Sequence, residues 1–316
     1  MSKLPTVLAS LQFPVIGAPL FIISQPKLVI AQCINGVVGS MPALNARPAS
    51  QLDEWLAEIN EGLAAHNRAH PDRPAAPFAI NQIVHKSNPR LLEDMALCVK
   101  YKVPLIITSL GAREEITQAA HSYGGVVMHD VINNKFAHKA IEKGADGLIA
   151  VATGAGGHAG LKSPFALVQE IRQWFQGPLA LSGAIASGNA ILAALAMGAD
   201  FAYIGSAFIA TEEARASVEY KQGIVACNSD DIVYSNYFTG VHGNYLAPSI
   251  RNAGLDPEQL PVSDPTKMDF ASDKPKAWKE IWGCGQGIGV IDRVQSAAAL
   301  IDQLKAEFLA AKLRIR

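Results

Sequence analysis

The chain has 316 residues, of which 49% are hydrophobic and 17% charged, with 27 basic and 28 acidic side chains. The net charge of −1 excludes a protein that binds nucleic acid through a basic excess, and the apolar content excludes an intrinsically disordered chain. Four widely spaced cysteines indicate neither a disulfide framework nor a zinc site. The most apolar stretch, 178–199, is too interrupted for a membrane span, and no signal-peptide core precedes Gln12. We therefore expect a cytoplasmic protein that contacts no membrane.

Short apolar runs alternate with helix-like stretches over the first two thirds of the chain. The runs predict strands at 15–18, 36–41, 78–84, 105–110, 126–131, 148–151, 179–185 and 201–208. The stretches between them predict helices at 49–66, 89–100, 113–122, 136–143, 164–175 and 189–197. Eight strands alternating with helices predict an α/β fold, a (β/α)8 TIM barrel. A doubly wound parallel sheet is the alternative.

A short sequence, Gly-Ala-Asp, joins a helix to the next strand at two places. It occurs at 144–146 and again at 198–200. Glycine just past a helix end can adopt the left-handed conformation that satisfies the last carbonyls. Two copies at the same place in two units support the modular repeat of a barrel.

The pattern changes after the eighth predicted strand. Prolines punctuate the segment 223–285, and aromatic residues cluster between Tyr234 and Tyr245. Because this segment follows the last strand, we expect an insertion or lid over the C-terminal mouth of the barrel, where enzymes of this fold keep their sites. Residues 1–222 and 286–316 would then form the barrel, and helical periodicity resumes at 289–313.

A glycine-rich loop follows the sixth predicted strand. Residues 154–160 read Gly-Ala-Gly-Gly-His-Ala-Gly, and such a loop allows a ligand to approach the backbone closely. His158 would present an imidazole that can move a proton or form a hydrogen bond near neutral pH. We predict His158 as the catalytic residue, against the alternative of a flexible turn with a solvated histidine.

Two further small-residue segments end the seventh and eighth predicted strands. They are 181–185, with Gly183, and 204–208, with Gly205 and Ser206. TIM barrels often hold a phosphate on backbone amides at these two loops, so we predict a phosphate site there. The sequence contains neither a Walker-type Gly-Lys-Ser/Thr triplet nor a Rossmann glycine fingerprint.

Polar side chains also end the third and fifth predicted strands. Asn81 and Gln82 could bond a heteroaromatic ring, and His129 and Asp130 could contact a ligand or simply bond each other. His242 in the insertion is a weaker candidate. The remaining histidines are predicted to be surface or packing residues: His66, His70, His85, His121 and His138.

Together these segments resemble the nitronate monooxygenase family, formerly the 2-nitropropane dioxygenases, over nearly the whole chain. The resemblance rests on 14–20, 155–160, 181–185, 197–200, 204–208, 238–245 and 283–289. It implies an FMN-dependent TIM-barrel enzyme. The FMN phosphate would lie on Gly183, Gly205 and Ser206, and His158 would lie beside the flavin. The full set of implied FMN-binding residues is Gly17, Ala18, Pro19, Leu20, Asn81, His129, Gly156, Gly157, Ser182, Gly183, Ala184, Gly205, Ser206 and Gln286, with no metal ligand. Relatives often carry Met at the position of Leu20, and some carry Lys at that of Asp130.

The resemblance implies oxidation of alkyl nitronates or nitroalkanes by dioxygen to carbonyl compounds and nitrite. An NAD(P)H-dependent flavin reductase acting on quinones or enoyl thioesters is the main alternative, and a non-catalytic flavin-binding barrel is a third. The expected partners are the small-molecule substrate and dioxygen, in a monomer or homodimer. The anion of Asp130 would alter the field around the flavin, which leaves the preferred substrate open.

Overall fold

A computed structural model describes residues 4–263 and 280–315. The strands are β1 Val15–Gly17, β2 Gly39–Pro42, β3 Phe78–Ile83, β4 Leu105–Ser109, β5 Val126–Val131, β6 Gly147–Val151, β7 Gly157–His158, β8 Leu179–Ser182, β9 Phe201–Ile204, β10 Ile232–Ser235 and β11 Gly243–Leu246. The α-helices are α1 Thr6–Ala9, α2 Pro26–Ile34, α3 Gln51–Ala69, α4 Leu91–Lys100, α5 Glu114–His121, α6 Asn134–Glu142, α7 Pro164–Arg172, α8 Gly188–Ala196, α9 Ser206–Ile209, α10 Val218–Ala226, α11 Ala247–Asn252 and α12 Ala297–Arg314. No helix of the described part has the length and apolar character that crossing a bilayer requires.

Eight parallel strands form a barrel. Their order is β1-β9-β8-β6-β5-β4-β3-β2, and the remaining seam lies between β1 and the start of β2. There the amide of Gly17 donates to the carbonyl of Val38 at 2.8 Å, and the amide of Val38 donates to the carbonyl of Val15 at 3.2 Å. These bonds close the sheet on itself. The predicted (β/α)8 barrel is therefore confirmed, and the doubly wound alternative is wrong.

Two predicted strands are too long at their C-terminal ends. β8 stops at Ser182 because Gly183 and Ala184 have positive φ values of 141° and 54°. β9 stops at Ile204, and the apolar residues that follow form helix α9 instead of more strand. A short apolar run fits a buried strand and a buried helix equally well, so periodicity could not separate the two. The last predicted helix starts later, at Ala297, after the cap residue Ser296.

Helix α2 was not predicted from the sequence. It starts with a proline, a residue favoured at the first helical position, and it contacts β2, α3 and α12. A helix enclosed by several elements is apolar on more than one face, which weakens the periodic signal of an amphipathic helix. Its nine residues therefore resembled an irregular connection.

The barrel interior holds an apolar layer to which each of the eight strands, or the residue just before it, contributes one side chain. The layer consists of Ile16, Val38, Ala79, Ile107, Met128, Ile149, Ala180 and Phe201. The alternate residues of the same strands point outward and pack against the helices, as Ile80, Ile106 and Val127 do. This period-two alternation decides which strand residues reach the barrel mouth.

The two Gly-Ala-Asp segments act in the same way. Gly144 and Gly198 have φ values of 88° and 110°, as expected for glycines that end helices. Asp146 accepts the amide of Val127 at 2.8 Å, and Asp200 accepts the amide of Leu179 at 2.9 Å. Each aspartate thus ties the start of its own strand to the start of the preceding one, which confirms the modular repeat.

A second, three-stranded antiparallel sheet connects the 223–285 segment to the glycine-rich loop. β11 lies between β10 and β7, with Gly243 opposite His158 and Asn244 opposite Gly157. The assignment of 223–285 as an insertion stays a prediction, and its residues 264–279 lie outside the described part of the chain.

Candidate functional site

A second layer of inward side chains lies at the carboxyl ends of the strands. Each of its residues follows a residue of the apolar layer by two positions. We call it the inner ring: Ala18, Ser40, Asn81, Ser109, Asp130, Val151, Ser182 and Tyr203. A Cβ atom on Gly17 or Gly39 would collide with helix α2. The side chains of the neighbouring residues on those strands therefore point inward. The layer below is entirely apolar, whereas most members of the inner ring carry polar atoms. The polarity therefore begins at the end of the barrel where TIM-barrel enzymes have their active sites.

Three members of the inner ring form a directed hydrogen-bond chain. Asn81 donates from Nδ2 to Ser109 Oγ at 2.8 Å, and Ser109 donates from Oγ to Asp130 Oδ2 at 2.5 Å. The second oxygen of Asp130, Oδ1, is buried and has no hydrogen-bond partner among the described residues. Burial raises the pKa of Asp130 to about 6, although the bond from Ser109 opposes the shift.

Two of the candidate residues at strand ends point away from the mouth. Gln82 donates to Cys98 Sγ at 3.3 Å on helix α4. His129 lies between Val127 and Val131, which both pack outward, and its Nδ1 is 2.6 Å from Thr108 Oγ1. Burial lowers the pKa of His129 to about 4, so this ring is neutral at pH 7. The strand alternation thus brings Asn81 and Asp130 to the mouth, but not Gln82 and His129.

The glycine-rich loop is shaped by its glycines. Gly154 and Gly157 have φ values of 84° and 63°. The loop packs against 284–285 so closely that a Cβ on Gly156 would lie 2.8 Å from the amide nitrogen of Gly285. Asn244, buried on β11, donates from Nδ2 to the carbonyl of Ala155 at 2.6 Å. A side chain at Gly156 would push the two segments apart.

His158 is held by a residue from the 223–285 segment. Its Nε2 lies 2.9 Å from Thr239 Oγ1, and this hydroxyl also donates to the carbonyl of Val241 at 3.0 Å. Because the hydroxyl has only one proton, a neutral imidazole can donate to it from Nε2, which leaves Nδ1 unprotonated. Burial lowers the pKa of His158 to about 4, although part of the residue still contacts solvent. The ring is therefore neutral, and able to accept a proton, near pH 7.

The ends of β8 and β9 form a cradle of backbone amides. Across the described ranges, the N–H groups of Gly183, Gly205 and Ser206 have no protein acceptor. A Cβ on Gly183 would lie 2.7 Å from the carbonyl oxygen of Thr153, so only glycine fits there. Ser206 Oγ accepts the amide of Gly285 at 2.9 Å, which links the cradle to the glycine-rich loop. Amides in this arrangement suit an anion such as a phosphate.

The loop after β1 borders the same cradle. A Cβ on Gly205 would be 3.5 Å from the side chains of Ala18 and Leu20. Asn45 fixes this loop by donating to the carbonyl of Leu20 at 2.9 Å and accepting the amide of Ile22 at 2.7 Å. On the opposite side, the amide of Gln286 donates to the carbonyl of Gly154 at 2.9 Å, while its side chain is exposed.

The sequence interpretation missed several residues of the site. Ser109 and Tyr203 belong to the inner ring, and Thr239 and Asn244 hold the glycine-rich loop. Alternation along the predicted strands could have found Ser109 and Tyr203, because each lies two residues beyond an inward apolar residue. No local signal marks Thr239 or Asn244, since their partners are more than 80 residues away in sequence.

Comparisons of the sequence with known proteins identify a family. The family model for nitronate monooxygenase matches residues 3–307. An inferred monooxygenase of Mycobacterium tuberculosis is 31% identical over 66% of this chain and 60% of its own length. A nitronate monooxygenase of Paraburkholderia phytofirmans is 26% identical over 93% of this chain and 92% of its own length.

A solved structure shows the same fold. The nitroalkane oxidase from Streptomyces ansochromogenes superposes with a TM-score of 0.81 at 21% identity, covering 98% of this chain and all of that one. The chain spans less than two thirds of the mycobacterial relative but nearly all of the Paraburkholderia enzyme. Because the family model covers most of the chain, membership does not depend on any one relative. The chain belongs to the nitronate monooxygenase family of flavin-dependent oxidoreductases.

Proposed function

We propose that this protein binds FMN and oxidises nitroalkanes or their nitronates with dioxygen, yielding carbonyl compounds and nitrite. The observation that carries the proposal is the proximity of two features within a family member: the amide cradle on β8 and β9, and the loop that carries His158. Ser206 bonds the segment that packs on that loop, so an anion in the cradle would lie beside the loop.

The residues of the site fit FMN. The free amides of Gly183, Gly205 and Ser206 would hold the phosphate, and Ser182 and Ala184 flank Gly183. Residues 17–20 would border the flat ring, with Asn81 of the inner ring as a polar contact. Gly156, Gly157 and Gln286 would border the opposite side. Bound FMN would supply the electron-transfer chemistry that the side chains lack.

Proton transfer is the task we assign to His158. With its pKa lowered to about 4, the imidazole is neutral at pH 7 and can accept the α-carbon proton of a nitroalkane. Thr239 orients the ring through Nε2. The sheet of β10, β11 and β7 would exclude water above the ring, which is the role we propose for the 223–285 insertion.

The proposal is tested on the purified protein. A yellow preparation that releases FMN on heating establishes the cofactor. Oxygen consumption and nitrite formation with a nitroalkane and with its nitronate establish the reaction. If the FMN-loaded protein neither consumes oxygen nor forms nitrite with these compounds, the proposed reaction is refuted.

The reductase alternative gives a different result. Rapid anaerobic bleaching of the flavin by NADH or NADPH, without bleaching by a nitronate, would favour a quinone or enoyl-thioester reductase. Bound FMN without turnover of any of these substrates would indicate a non-catalytic flavin-binding barrel.

A further inference from the structure

Asp130 is the one carboxylate in the inner ring. Apart from it, Tyr203 is the ring's only titratable member, and the other six are neutral. No lysine, arginine or histidine belongs to the ring, so none of its members neutralises the carboxylate. This carboxylate therefore gives the floor of the mouth a negative charge.

The contacts of Asp130 fix it as a hydrogen-bond acceptor. The single proton of Ser109 Oγ is directed to Oδ2, because Ser109 itself accepts from Asn81. Oδ1 is buried, and within residues 4–263 and 280–315 it has no hydrogen-bond partner. An unpartnered buried oxygen is costly, so such an atom in a native site usually has a functional or unobserved partner. Burial, together with the nearby charge of Asp130, raises the pKa of the Tyr203 phenol.

We propose that Asp130 is a specificity-determining residue that makes the site accept the neutral nitroalkane and disfavour the nitronate anion. The proposal rests on the proposed function, since it concerns which form of the same substrate is bound. A nitroalkane and its nitronate have nearly the same size and shape, so apolar contacts discriminate weakly between them. Charge is the property in which they differ most.

The expected size of the effect follows from Coulomb's law. Two like charges about 10 Å apart in a partly buried site disfavour binding by about tenfold to twentyfold. Asp130→Asn keeps the size of the side chain and removes its charge. Asp130→Glu keeps the charge, and Asp302→Asn removes an exposed carboxylate on helix α12, away from the inner ring. These two are the matched controls.

Two measurements test the proposal on the FMN-loaded protein. Calorimetric titration with sodium nitrate, an inert oxyanion of similar shape, gives an anion affinity that requires no turnover. We expect Asp130→Asn to bind nitrate about tenfold more tightly than the wild type, with both controls within about threefold of it. Steady-state oxygen consumption should show kcat/KM for the nitronate rising about tenfold, with that for the nitroalkane changing less than threefold.

Equal nitrate affinities in the wild type and Asp130→Asn would overturn the proposal, as would an unchanged ratio of kcat/KM between the two substrate forms. If neither nitro compound is turned over, the proposed function fails, and nitrate binding still decides the role of Asp130. If Asp130→Asn does not fold, Asp130→Ser removes the same charge with a smaller side chain and replaces it in both measurements.

Discussion

Two histidines of this protein have the same chemistry in two different regions. His129 and His158 each bond a threonine hydroxyl through one ring nitrogen, and burial lowers the pKa of each to about 4. His129 is on the outer face of a barrel strand, enclosed between the sheet and the helices, with 5% of its surface exposed. His158 is on a loop at the mouth and is partly exposed. The comparison shows that access, not the state of the imidazole, distinguishes a structural histidine from a candidate catalytic one.

Replacing each histidine by asparagine tests this difference most strongly. We expect His158→Asn to lower kcat for the nitroalkane by about 10²-fold or more, because general-base catalysis contributes 10²–10⁴-fold, while FMN stays bound. His129→Asn should change kcat by less than about threefold. The measurement is oxygen consumption per bound flavin. Equal losses in the two variants would contradict the assignment of distinct roles.

The buried neutral state of His129 should also appear in the pH dependence of stability. Its pKa is about 4 in the folded state and 6.5 in the reference state, so the unfolded chain binds more protons between these values. The contribution of His129 to the free energy of unfolding is therefore fully present above pH 6.5. It falls by up to roughly 3 kcal/mol as the pH drops towards 4.

Urea unfolding of the apoprotein at pH 7 and pH 4 measures this contribution. The stability advantage of the wild type over His129→Asn should shrink by up to that amount at pH 4, because all other groups are common to both proteins. If the difference in unfolding free energy between the wild type and His129→Asn is the same at both pH values, the burial assigned to His129 is contradicted.

The smallest expected effect concerns how His158 is held. Thr239→Val removes the hydroxyl bonded to Nε2 and keeps the shape of the side chain. We expect kcat to fall about fivefold, since the lost orientation amounts to a hydrogen bond of about 1 kcal/mol. Thr239→Ser keeps the hydroxyl and should restore most of the activity. The acid limb of the kcat–pH profile should shift in Thr239→Val, which a purely structural defect would not produce.

Much of the fold could be predicted from the sequence. Continuous apolar runs identified the eight barrel strands, and the Gly-Ala-Asp repeat indicated the modular βα unit. The errors came where one pattern fits two structures, as at α9, or where burial on several sides removes periodicity, as at α2. The glycines at 154–160, 183 and 205 marked the site because close backbone approach leaves a visible compositional signal.

The sequence by itself determined that this chain would form a parallel barrel with glycine-rich strand ends, because hydrophobic periodicity and glycine placement are local properties. Only the tertiary structure decided which of two adjacent polar residues, His129 or Asp130, reaches the mouth. Side chains alternate between the two faces of a strand, and an error of one residue in register exchanges them. It also decided that Thr239 holds His158, since 81 residues separate the two and only folding brings them into contact.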